Sequence, residues 1–304
     1  MSALRSIPGV AHVERFQGAH AADGTPPTLV VEVPHGADRT RHYDALAARL
    51  QSPLPDGLVD FFHVNTDVGA WDLGRAIAAA FLAARVRESV LLVRCLVPRT
   101  FVDCNRVLGD EAALTQGGLT PGLQPWITHP DDRTLLRQMH RAYVDLVDAA
   151  VADVVGRGGH LVSPHTYAPR TVGIDTVDLD IVENLHRVYA PELADTWPLR
   201  PEIDLITADG EGVRQAPAGV TDAVVAELSA QGREVVENGT YWLHPATRAA
   251  QLSARHPGRA LCFELRRDLA VKSWTPFAEM RPDHDQLAPV ARVVGAALAR
   301  AAGG

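Results

Sequence analysis

The chain has 304 residues, enough for one large domain or two small ones, and 46% hydrophobic with 22% charged residues is ordinary for a globular protein with a sizeable core. A net charge of −8, a pI near 5.9 and a single lysine, Lys272, exclude the basic surface that nucleic acid would need. No apolar stretch reaches the ~20 residues of a bilayer span, the first residues lack the apolar region of a secretion signal, and three cysteines in apolar surroundings (Cys95, Cys104, Cys262) point to reduced thiols in a cytoplasmic protein.

In chain order, the first β-branched run predicts a buried strand over 28–33, followed by a helix over 40–50. An alanine-rich segment with leucines and an isoleucine at helical spacing predicts a helix over 68–85, and 89–95 reads as a second strand. The Pro/Gly-rich stretch 109–130 reads as a long surface excursion. Residues 131–155 place Leu135, Leu136, Met139, Tyr143, Leu146, Val147, Ala150 and Val154 on one helical face, started by Pro130-Asp131 and stopped by Gly156, Gly158 and Gly159. A strand over 160–163, a second excursion over 168–201, a helix over 221–231, a strand over 260–265 and a helix over 284–302 complete the pattern. Strands alternating with helices of this length predict an α/β fold, a mixed, largely parallel sheet flanked by helices on both faces. We expect one domain, 1–304, with long surface loops at about 109–130 and 168–201.

Polar residues gather where the predicted strands stop, which is where open α/β sheets bind ligands. Pro34-His35-Gly36 follows the first strand and offers an imidazole on a turn, with Asp38 three residues on. Taken alone, His35 is as much a turn histidine as a metal ligand. Ser163-Pro164-His165 repeats the device, and two such histidines suit a shared zinc site with one position left for water. A third ligand can come from Asp67, which reads equally as the N-cap of the next helix. His63, among apolar neighbours, reads as a packing residue. Arg99 and Arg106 bracket Asp103 and Asn105, a cluster able to clamp an anionic substrate or to form an Asp-Arg pair in a loop. Glu264 interrupts an apolar strand, a costly placement unless it is paired with Arg266 on the same face or used to move a proton. In Asn238 to His244, Tyr241 or His244 is a candidate for the substrate rim.

Pro34-His35-Gly36, Asp67-Val68-Gly69-Ala70, Arg99 with Asp103-Cys104-Asn105-Arg106, Ser163-Pro164-His165 and Phe263-Glu264-Leu265-Arg266 occur in the order seen in the N-formylglutamate amidohydrolase family, which the chain resembles from about residue 28 to 270. The last segment is also similar to one in zinc carboxypeptidases, which share the wider phosphorylase/hydrolase-like fold. The resemblance implies Zn2+ held by His35, Asp67 and His165, with Glu264 as general acid/base and Arg99, Asn105 and Arg106 gripping a substrate carboxylate. The carboxypeptidase pattern has a ligating Glu at the spacing of Asp38, so Asp38 stands as the alternative third ligand. The implied activity is deformylation of N-formylglutamate to formate and glutamate. The alternatives are a carboxypeptidase or aspartoacylase-like amidase on another N-acyl amino acid, and a non-catalytic binder of acidic metabolites. No nucleic acid or membrane partner is expected.

Overall fold

Consecutive β-branched residues can all be buried in a sheet only when helices cover both of its faces. The computed structural model, which describes residues 4–109, 120–174 and 176–303, has that arrangement. Its elements in chain order are β1 (Ala11–Gln17), β2 (Pro27–Val33), α1 (Thr40–Ala47), α2 (Leu58–Asn65), α3 (Ala70–Ala84), β3 (Ser89–Cys95), α4 (Pro130–Val154), β4 (His160–Tyr167), α5 (Ile181–Val188), α6 (Pro191–Ala194), β5 (Ile203–Ile206), α7 (Ala218–Ala230), β6 (Val235–Glu237), α8 (Arg248–Arg255), β7 (Ala260–Arg266) and α9 (His284–Ala301). The seven strands form one mixed sheet in the order β1-β3-β2-β4-β7-β5-β6, with a parallel centre from β3 to β7 and antiparallel steps at β1 and between β7 and β5.

Side chains of each strand alternate between two cores, as the strand period requires. Val30, Leu91, Val93 and Leu161 pack with Tyr43, Phe62, Met139 and Tyr143 of α1, α2 and α4. Leu29, Val31, Val90, Leu92 and Val162 pack on the other face with Leu73, Ile77, Val224 and Val294 of α3, α7 and α9. The α3–α9 pairing is close: a Cβ on Gly295 would come within 2.8 Å of the Ile77 carbonyl oxygen.

The chain leaves β2 for β3 on one side and returns to β4 on the other, so β2 and β4 flank the switch point of the sheet. Their pairing stops at Val31↔Val162, which opens a crevice beyond it. Pro164, with no N–H to give a ladder, lies just past that last pair.

Two expectations change. β4 runs on to Tyr167, so His165 is inside a strand paired with β7 rather than on a turn after it. The stretch 168–201 holds α5 and α6, and α5 buries Ile181, Leu185 and Val188. Of the excursion at 109–130, residues 110–119 lie outside the described residues. Among the described residues no helix is long and apolar enough to cross a membrane.

Candidate metal centre and its cavity

The crevice between β2 and β4 brings together three side chains from distant segments. His35 follows β2, Asp67 lies between α2 and α3, and His165 is on β4; all three are buried. Asp67 Oδ2 is 3.2 Å from His35 Nδ1 and 2.9 Å from His165 Nδ1, and the two imidazole centroids are 5.0 Å apart. One donor atom from each residue lies within 4.8 Å of the other two, close enough to hold a single metal ion. Two imidazole nitrogens and a carboxylate oxygen form the donor set that binds catalytic zinc while leaving a position for water, so these residues fit that ion.

Two glycines allow the approach. A Cβ at Gly36 would meet Arg94 Cγ at 2.5 Å, so only glycine lets the turn after His35 close against β3. Gly69, at φ +89°, is the N-cap of α3, so Asp67 does not cap the helix and its carboxylate is turned instead to the histidines and the Thr166 N–H. Burial would raise the Asp67 pKa, but the His35 and His165 imidazoles overcome it and hold the carboxyl below its ordinary range.

Asp38, the alternative ligand, lies outside this cluster. Its Oδ1 accepts from Arg94 at 2.6 Å and lies 3.5 Å from Arg39 Nε, though burial outweighs both arginines and raises its pKa. Asp103, which sequence left between pairing and function, accepts at Oδ1 from the far side of the His35 ring, Nε2, at 2.8 Å. Its Oδ2 accepts from Arg99 Nη2 at 2.9 Å. A carboxylate behind an imidazole fixes the orientation and tautomer of the ring.

Glu264 is next to His165 across the β4–β7 ladder. The pairing with Arg266 is absent: Arg266 donates to Asp268 Oδ1 at 2.9 Å and to the Arg200 carbonyl. Glu264 Oε2 is buried and has no hydrogen-bond partner among the described residues. Burial pushes its pKa up to about 7 despite the opposing pull of the His165 imidazole.

These groups line a cavity of about 330 Å3, at the small end for a ligand site. Arg99, Asn105 and Arg106 line it as well. Asn105 Oδ1 accepts from the Ala249 N–H at 3.0 Å, so its amide NH2 is the end left for a ligand. Arg106 is held by the Thr120 carbonyl at 3.3 Å. Tyr241 and His244, the rim candidates, are both in the lining.

Sequence missed Arg170, Arg200 and Arg267. They raise the lining to five arginines against the carboxylates Asp67 and Glu264, a surplus that favours an anionic ligand. Arg200 stacks on Tyr167 and Tyr241, 5.2 and 5.8 Å from their ring centroids. Arg267 is fully buried, donating to the carbonyls of Val64 (2.6 Å) and Thr166 (2.8 Å), and lies 4.0 Å from Asp67 Oδ1. Arg170 and Arg200 sit in no local pattern, and Arg267, although it follows the Phe263–Arg266 segment directly, is tied to the site by contacts with Val64, Thr166 and Asp67 from other segments.

The family model for N-formylglutamate amidohydrolase matches residues 27–271. A solved N-formylglutamate amidohydrolase from Ralstonia eutropha JMP134 is similar over 97% of this chain and 97% of its own, at 18% identity and a TM-score of 0.51. A gene product of Agrobacterium tumefaciens is similar over 96% of this chain and 94% of its own, at 19% identity and a TM-score of 0.54. These likenesses show a shared fold. No curated protein matches the chain.

Proposed function

This chain belongs to the N-formylglutamate amidohydrolase family, and on that premise we propose that it is a zinc-dependent hydrolase of a small N-acyl amino acid, N-formylglutamate first among them. The observation that carries the proposal is the convergence of His35, Asp67 and His165 beside the buried, unpartnered Glu264. Zinc bound there would polarise the scissile carbonyl and lower the pKa of a water.

The chain's own residues then have separate tasks. Arg106 and the Asn105 NH2 hold the substrate carboxylate, and Arg99 faces the oxyanion that forms as water adds to the formyl carbon. Glu264, with its pKa near neutrality, takes the water proton at Oε2 and returns it to the amide nitrogen as the C–N bond breaks. Formate and a free amino acid leave, and Glu264 ends in its starting state.

A substrate panel tests the proposal. Formate release from N-formylglutamate should show the highest kcat/KM among N-formyl, N-acetyl and peptidyl compounds. Preference for an acetylated amino acid or a peptide would contradict the formyl assignment and favour an aspartoacylase-like or carboxypeptidase activity.

A further inference from the structure

Glu32 is a carboxylate at the next-to-last position of β2, 4% exposed, and no task described so far requires it. A buried charge is costly unless something compensates it. Its oxygens meet two neutral hydroxyls: Tyr143 of α4 donates to Oε1 at 2.8 Å, and Ser163 of β4 donates to Oε2 at 2.9 Å.

A serine hydroxyl has one proton, and Ser163 gives it to Glu32, which can only accept. Ser163 Oγ is then an acceptor toward its other neighbour, His165 Nε2, at 3.4 Å. A proton kept on Nε2 would leave Nδ1, the atom now 2.9 Å from Asp67 Oδ2, free to ligate a metal that took the place of that contact. His35 has the same division by a shorter route, with Nε2 on Asp103 Oδ1 at 2.8 Å and Nδ1 toward Asp67 Oδ2 at 3.2 Å. Each histidine thus has a carboxylate behind it, Asp103 directly and Glu32 through a serine.

We propose that Glu32 is a positioning residue for the metal site, fixing the tautomer and orientation of His165 through Ser163. The inference rests on the zinc reading given above. A purely structural Glu32, pinning α4 to the sheet through Tyr143, would support the fold without touching metal affinity.

Zinc affinity, measured by competition with a chromophoric chelator, separates the two roles when set beside the Tm of each metal-free variant. Ser163→Ala and Glu32→Gln should weaken zinc by about 10- to 100-fold. Tyr143→Phe, which leaves the Glu32–Ser163–His165 arm in place, should bind near the wild-type level even if its Tm falls. Wild-type affinity in Ser163→Ala, or equal weakening by Tyr143→Phe, would overturn the proposal. Wild-type protein that takes up no zinc would remove the metal reading itself, and this inference with it.

Discussion

A carboxylate on a strand buried from both sides ordinarily needs a cation or a set of donors, and Glu264 Oε2 has no hydrogen-bond partner among the described residues. Water and a leaving amine are the partners the proposed reaction would supply. Its conjugate acid, with a pKa of about 7, is balanced between taking and giving a proton in neutral solution. Two results follow for this residue. Glu264→Gln should keep zinc and lower kcat by on the order of 10²- to 10⁴-fold. Because the base must begin deprotonated, wild-type kcat/KM should fall as pH drops through the Glu264 pKa, which a bound zinc would draw below its metal-free value of about 7. Formate release near the wild-type rate from Glu264→Gln would remove it from the mechanism. Asp38 has the right spacing for a ligand, yet its Oδ1 is turned to Arg94 and Arg39 and it lies outside the His35–Asp67–His165 cluster.

At the scale of elements, β4 does most to position the site, since it carries Ser163 and His165 and pairs with both β2 and β7. Its first residue, His160, is buried, and its Nδ1 has no hydrogen-bond partner among the described residues. Burial, with Arg259 adding to it, lowers the His160 pKa to about 4 from 6.5. Between these values the unfolded chain binds a proton that the folded chain refuses. The contribution of His160 is therefore complete above pH 6.5 and is lost as pH falls toward 4, by about 1 to 2 kcal/mol once solvent screening is allowed for. Urea unfolding at pH 7 and pH 4.5 should show a smaller loss for His160→Leu than for wild type; equal losses would contradict this assignment. Strands buried on both faces were legible as apolar runs: β3 and β7 end at or within one residue of their expected limits. β1 was not, because an edge strand reading AHVERFQ is half exposed and lacks such a run. β5 and β6, with four and three residues, are too short for periodicity to speak.

At the scale of the whole molecule, the net charge of −8 and the five-arginine cavity describe different things. The first concerns the surface seen from a distance, the second the ligand seen at contact. The candidate site residues were legible because His35, His165 and Glu264 each follow or interrupt an apolar segment, where a polar residue needs a reason to be, and Asp67 stands where the next helix begins. Arg200, Arg267 and the Glu32–Ser163 arm were not, since each depends on partners brought in by sheet order rather than by neighbouring sequence. Convergence of three segments on one cation is the claim on which the remaining chemistry depends. Zinc quantification by mass spectrometry on dialysed protein tests it directly. Wild type and Glu264→Gln should each retain one zinc per chain, and His35→Ala and His165→Ala should retain almost none; full zinc in either histidine variant would contradict the account.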